Sequence, residues 1–157
     1  MYQLKITIRD SKPPIWRRVL VPEQIPFSKL HAVIQLAFGW NDEHLYMFEK
    51  GRKGDPGSEY RVWGEDESMG NAAITPLWAA LQNEGDKLVY TYDFGDWWDC
   101  VIVLEKQTHD TSNQPISCLR GKGPPRRKTQ AACMVTMNCY YRPESLIILS
   151  RPRSTIS

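Results

Sequence analysis

Asp93, Asp96 and Asp99 lie inside the ten residues YTYDFGDWWD, Tyr90 to Asp99, where carboxylates, aromatic rings and a turn signal coincide. Carboxylates grouped in this way hold hard cations such as magnesium or calcium through oxygen, and a metal at the Asp93/Asp96 turn would support hydrolysis. Parity limits that reading. On a straight strand Asp93 and Asp99 share a face and Asp96 does not, so only a turn at Gly95 brings Asp93 and Asp96 together. Asp beside Gly is also ordinary turn chemistry, and turn formation is the reading adopted. Trp97 and Trp98, with Trp16 and Trp40, offer rings that stack on nucleobases or another planar ligand. Adjacent strand residues point to opposite faces, so at least one of Trp97 and Trp98 is expected in the core; the other, if exposed, marks a binding surface. The candidate binding surface comprises Asp93, Asp96, Trp97 and Trp98, with Arg17 and His44.

No catalytic residue, cofactor-binding residue or metal ligand is assigned. The sequence has no GxSxG, HExxH, P-loop or dinucleotide fingerprint, and no recognised local motif pairs its three histidines with a Ser or Cys nucleophile. His31 sits beside Leu30 on a helical stretch without a second ligand at helical spacing, and is read as a core residue. Cys100, Cys118, Cys133 and Cys139 form no CxxC pair and are expected to be reduced thiols. The N-terminal MYQLKITIRD carries an acid and alternates polar with apolar, unlike a signal or transit peptide. No run approaches the roughly 18 apolar residues of a membrane span, so a cytoplasmic protein without a membrane partner is expected.

The elements that position these residues are read from periodicity. Gln3 to Arg9 alternates as a half-buried strand, with Leu4, Ile6 and Ile8 on one side. Pro13 and Pro14 interrupt it, and a second strand places Ile15, Arg17, Val19 and Val21 opposite Trp16, Arg18 and Leu20. The two are expected to pair antiparallel. Arg17 and Arg18 then face opposite ways and cannot clamp one phosphate, and one of them is expected to cover core edge with its stem. Ser28 reads as the N-cap of KLHAVIQLAFGW, whose Leu30, Val33, Ile34 and Ala37 recur at helical spacing before a stop at Gly39. HLYMFEK reads as a short strand and residues 51 to 58 as a polar loop. Thr75 and Pro76 open a second short helix in PLWAALQN. Lys87 to Asp93, a turn at Phe94 to Asp96, and Trp97 to Lys106 form a long hairpin. The resulting expectation is a single-domain α+β fold, a mainly antiparallel sheet with two helices on one face.

Charge is unevenly spread along the 157 residues: eight Lys and Arg and one acid follow Leu119, a net +7 against +2 for the whole chain, which leaves −5 on residues 1 to 119. An acidic body argues against electrostatic binding to nucleic acid.

The segments PPIWRRVLVP, LHAVIQLAFGWNDEHLYMFE and YTYDFGDWW, in that order and spacing, resemble the plasmid pRiA4b ORF-3-like family, from about Leu4 to Gly123. The resemblance implies an α+β domain found in bacteria, archaea and mobile elements, without an established biochemical activity; some members are described as resolvases of insertion elements. Where the family often carries His two positions after FGDxW, this chain has Cys100. The family pattern then continues in a segment resembling PPEDxGGxxGYxELL, whereas this chain reads PPRRKTQAACMVTMNCYY. Reading the third base of each codon with the first two of the next restores that pattern. Met134 to Val135 forces Gly, Met137 to Asn138 forces Glu, and both Asn138 to Cys139 and Cys139 to Tyr140 force Leu. The intervening codons permit PEDxGGMYGYNELL beginning at Arg126.

Residues 1–123 are therefore expected to form the family domain, and 124–157 an out-of-frame basic tail not native to the fold, containing the apolar window SLIILS. The function expected is that of a non-enzymatic binding or accessory domain whose partner is a protein or small ligand. Two other functions are a nucleic-acid-linked role in a mobile element and a metal-dependent hydrolase at Asp93 and Asp96.

Overall fold

The computed structural model describes residues 1–51, 58–61, 70–109 and 114–123, together with the backbone of two short strands at 141–142 and 145–146. The polar loop read at 51 to 58 lies mostly outside the described residues, as does nearly all of the tail.

Alternation produces the long strands. In β1 (Tyr2–Ile8) and β2 (Trp16–Val21) every second side chain is buried, and the two pair antiparallel with Leu4 opposite Val19. A helix, α1 (Phe27–Phe38), follows, and then β3 (Tyr46–Glu49), β4 (Glu59–Arg61) and β5 (Gly70–Asn71). Farther along come the hairpin β6 (Lys87–Tyr92) and β7 (Trp98–Gln107), and finally β8 (Ser117–Lys122). These eight strands make one sheet in the order β5-β4-β3-β6-β7-β1-β2-β8, antiparallel except for the parallel β4–β5 pair. A separate two-residue pair, β9 (Tyr141–Arg142) and β10 (Ser145–Leu146), stands apart from it.

The expected α+β fold with two helices is corrected to a sheet-rich one, a mixed eight-stranded sheet with one α-helix among the described residues. The second helix, expected from Thr75 and Pro76, is one 3-10 turn at Leu77–Ala79. The cause lies at its far end, where the Gln82 and Asn83 N–H groups donate to Asp86 Oδ2 at 2.9 and 3.1 Å and not back along the segment. The Leu77 and Trp78 N–H groups donate to the carbonyls of Ile25 and Glu23 at 2.9 and 3.1 Å, and Pro76 bridges Pro26, so the segment is tied to the approach of α1. Leu81 seals the end against the core.

The first helix starts two residues earlier than expected, with Pro26 and not Ser28 at its N-cap, and no side chain caps it. Neighbouring backbone does so instead. Phe27 and Ser28 donate to Thr75 and Ala72 carbonyls at 3.2 and 2.8 Å, which satisfies donors that a Ser or Asp cap would otherwise serve. The stop at Gly39 is as read. Its left-handed backbone (φ 69°) lets Gly39 and Trp40 donate back to Leu36 and Gln35, at 3.3 and 2.8 Å. The geometry is a Schellman turn, and it aims the chain so that Trp40 packs on Phe38, with ring centroids 5.2 Å apart.

One face of the sheet and the apolar face of α1 enclose the core, including Leu4, Ile6, Val19, Phe27, Leu30, Ile34, Phe38, Tyr90 and Ile102, each fully buried. Arg17 joins it at 1% exposure, while Arg18 on the opposite face makes a two-pronged ion pair with Glu105 at 2.6 and 2.8 Å. The Arg18 bonds hold the Glu105 carboxyl down to about 2.

Candidate functional site

β3 and β6 pair with Tyr46 opposite Tyr92, which sets the loop leaving α1 (residues 40 to 45) beside the hairpin turn (93 to 97). The Asp93 N–H donates to the Leu45 carbonyl at 3.0 Å and closes the junction. A cleft of about 100 Å³ opens between the two loops, lined by Trp40, Asn41 and His44 from the first, Asp93 and Asp96 from the second, and Tyr92 and Trp98 from the strand ends.

The hairpin turn is built by Asp93. Its backbone is left-handed (φ 59°), its carbonyl accepts from the Trp97 N–H at 2.6 Å, and its carboxylate Oδ1 accepts from the Gly95 and Asp96 N–H groups at 3.0 and 3.4 Å. This is an Asx turn, which accounts for Asp preceding the Phe-Gly-Asp run. The other carboxylate oxygen, Oδ2, lies 3.5 Å from His44 Nε2. Asp93 thus serves the turn with one oxygen and the cleft with the other.

The opposite wall is held from behind by a closed circuit of hydrogen bonds. The Asp42 N–H donates to Gln35 Oε1 at 2.9 Å, which fixes the Gln35 amide so that Nε2 donates to Tyr90 Oη at 2.9 Å. With His31 neutral, its Nε2–H donates to Asp42 Oδ1 at 2.6 Å and its Nδ1 accepts from the Tyr90 hydroxyl 2.8 Å away. His31 stacks on Tyr46 with ring centroids 3.6 Å apart. It is a core residue, as its lone position on α1 indicated. Burial lowers its pKa, against the opposing pull of Asp42. Burial and the Asp42 charge push the Tyr46 hydroxyl up to about 12, and burial raises Tyr90 as well. The Glu43 N–H donates to Tyr92 Oη at 3.0 Å, a second tie across the junction.

Trp40 stacks on Tyr92 (5.2 Å, 14°) and tilts against Trp98 at 6.5 Å, while His44 meets Tyr92 edge-on at 5.6 Å. Of the six residues proposed from the sequence, the structure brings Asp93, Asp96, Trp98 and His44 together at this cleft. Trp97 is 52% exposed beside Phe94 on the outside of the turn and does not line the cleft. Trp98 is the partly buried member of the pair, packed against the core.

Arg17 is not on the surface at all. Its guanidinium donates to the carbonyls of Ala37, Trp16, Lys122 and Gly123 at 2.8 to 3.2 Å and lies over the Phe38 ring. Because Phe38 carries Trp40, Arg17 supports the cleft wall from within the core. The sequence reading missed Tyr92 and Asn41 and gave Trp40 only a general stacking role. Their signal was present in GWNDEH, a tryptophan and turn-forming residues directly after a helix-stopping glycine, but only the β3–β6 register shows which loop they meet.

The described residues contain no group of three or more His, Cys, Asp or Glu side chains placed to hold a metal ion. No helix among them is long and apolar enough to cross a membrane. A family model for the plasmid pRiA4b ORF-3-like protein matches residues 1–127, which include the whole cleft. The chain belongs to the plasmid pRiA4b ORF-3-like family. Within reach of that family, the uncharacterized protein y4hQ of Sinorhizobium fredii (strain NBRC 101917 / NGR234) is 39% identical over 105 residues, 66% of this chain and 53% of its own length. The chain therefore spans about half the length of the curated relative it matches. The crystal structure of MM3350, a protein of unknown function from Methanosarcina mazei Go1, superposes with a TM-score of 0.66 at 32% identity, covering 79% of this chain and 70% of that one.

Proposed function

We propose that residues 1–123 form a non-catalytic binding domain of the cytoplasm, and that the cleft between the α1–β3 loop and the β6–β7 turn is its ligand site. The observation that carries this reading is the pre-organisation of both walls. Gln35 and Tyr92 fix the first loop and Asp93 the second by side-chain hydrogen bonds, and between them Trp40, Trp98, Asp93 and Asp96 border one small space. Cys100 and Cys118 are thiols, in keeping with a reducing compartment. A panel of chromogenic esters, amides, phosphoesters and glycosides, with and without Mg²⁺, Mn²⁺ or Zn²⁺, tests the non-catalytic reading. No turnover above a His44→Ala control is expected; a rate that His44→Ala or Asp93→Asn abolishes would sink it.

The same reading assigns 124–157 to a shifted frame, the slip lying near Gly123 to Arg126. The family match ending at Arg127 supports it, as do the four forced codon positions. A chain with the frame restored is expected to unfold at higher urea concentration than the present one, because a basic, apolar-windowed tail replaces a segment that belongs to the fold. Equal midpoints, or an unbroken frame on resequencing the codons of Lys122 to Tyr141, would count against it.

A further inference from the structure

The chemistry of the cleft names its ligand class. Trp40 and Trp98 line the space with partly exposed rings, Tyr92 lies behind them, buried and stacked on Trp40, and the acidic residues at the space are Asp93 and Asp96. Among the described residues no Lys or Arg lines it, and its basic ring, His44, already faces Asp93. An anion would meet two carboxylates there with no cation to receive it, so phosphate and carboxylate head groups are excluded by charge. A bare divalent metal is a poor fit as well. Calcium takes six to eight oxygen ligands, whereas this space offers two acidic residues against aromatic rings, and the described residues hold no group of three or more His, Cys, Asp or Glu placed for a metal. Size narrows the choice further. At about 100 Å³ the cleft falls well below the roughly 300–1,000 Å³ of pockets that enclose drug-sized molecules, so it takes a head group and not a whole nucleotide.

An organic cation satisfies every one of these conditions. A guanidinium or alkylammonium group is attracted to the faces of Trp and Tyr, tolerates partial loss of water, and donates hydrogen bonds to carboxylates. Resting on the reading of this cleft as a binding site, we propose that the Trp40–Tyr92–Trp98 cleft receives an organic cation of guanidinium or alkylammonium size, which Asp93 and Asp96 neutralise. The group comes either from a free small molecule or from an Arg or Lys side chain of a protein. Electrostatics of the domain point the same way, since residues 1 to 123 carry a net −3 within a chain of +2 overall.

The test is a two-dimensional NMR titration of the full chain, read on the indole N–H resonances of its six tryptophans. Methylguanidinium and tetramethylammonium are the cation probes, urea is the neutral probe of similar shape to methylguanidinium, acetate is the anion, and a blocked Gly-Arg-Gly peptide presents the cation on a chain. The cations are expected to shift Trp40 and Trp98, and urea and acetate to leave both in place. The affinity should fall as salt is raised. Asp96→Asn should weaken it about two- to fivefold, the range for one partly exposed charge pair. Asp93→Asn should do likewise, and its amide oxygen can still accept the turn's N–H groups. Tighter binding of the peptide identifies a protein side chain as the source; tighter binding of the free cations identifies a small molecule. Shifts of Trp40 and Trp98 with urea or acetate equal to those with the cations, or no effect of Asp96→Asn, would overturn the cation assignment while leaving the cleft as the site. Cation shifts confined to other indoles, or an absence of shifts with all five probes, would overturn the cleft itself.

Discussion

Replacing Arg17 with methionine is expected to lower the free energy of unfolding by about 3–5 kcal/mol, measured by urea denaturation. Methionine fills a similar volume, so the loss is chiefly polar. The guanidinium donates to four backbone carbonyls in a region where Arg17 itself is 1% exposed, and removing it strands the buried Ala37 oxygen and takes a donor from those of Trp16, Lys122 and Gly123, which are partly buried. Each stranded acceptor costs about 1–3 kcal/mol, reduced in sum by the cost of burying the charge that the wild type bears. The arrangement suits a cation. Ala37 lies in the last turn of α1, where unpaired carbonyls concentrate partial negative charge. Gly121 is part of the same packing, for a Cβ there would stand 2.7 Å from Arg17 Cδ and 3.0 Å from the Trp16 carbonyl oxygen. A functional signature separates this role from stability alone. With the fold kept intact at low temperature, Arg17→Met should broaden or shift the Trp40 indole resonance, because Arg17 holds Phe38 and Phe38 carries Trp40. A loss under about 1 kcal/mol would mean that water reaches the carbonyls and that the site is not sealed.

Arg17 also shows where sequence reading reaches its limit. Alternation along β2 correctly separated it from Arg18, and correctly sent one of the two toward the core. It could not show that the buried partner spends its charge on backbone carbonyls from a helix end and from β8, a strand some hundred residues away, because those acceptors are common to every residue type. β8 itself was illegible for a related reason. Its residues SCLRGK do not alternate, and it is a strand because β2 offers its edge, with Arg18 opposite Arg120. The long elements, β1, β2, β6, β7 and α1, were legible because each buries one face, and burial writes a period into the sequence. Where groups outside a segment supply its hydrogen bonds, local signals mislead. Ser28 looks like a cap but Thr75 and Ala72 carbonyls take its place, and Thr75-Pro76 looks like a helix start but the Asp86 carboxylate draws off the Gln82 and Asn83 N–H groups that would continue the helix. The cleft divides along the same line. Its turn was readable from Asp and Gly at fixed offsets, whereas its Trp40 wall required knowledge of which strands pair.

The circuit behind that wall yields the second large effect. Tyr90→Phe is expected to cost about 2–4 kcal/mol, since it leaves His31 Nδ1 without a donor and Gln35 Nε2 without an acceptor in a buried layer. The direction of the bonds also fixes a pH dependence. In the closed circuit His31 is neutral, with its proton on Nε2 toward Asp42 and Nδ1 accepting from Tyr90. A second proton on Nδ1 would leave the Tyr90 hydroxyl accepting from both His31 and Gln35, with its own hydrogen facing no acceptor in the circuit. The groups around the ring are Asp42 from the loop, Tyr90 from β6, Gln35 from α1 and the stacked Tyr46 from β3; only Asp42 favours the charged form, and burial outweighs it. The folded pKa of His31 therefore lies below its unfolded value of 6.5, and the unfolded chain binds more protons between the two. Stability is then constant from this group above about pH 6.5 and declines as pH falls below it, until the folded pKa is reached. His31→Gln is the diagnostic replacement, because an amide can accept from Tyr90 and donate to Asp42 without titrating. Urea midpoints of the wild type should fall from neutral toward mildly acidic pH, and those of His31→Gln should fall less over the same interval. If the two profiles run parallel, His31 is not held neutral by the circuit. If Tyr90→Phe also costs under about 0.5 kcal/mol, the circuit does not fix the loop that forms the cleft wall.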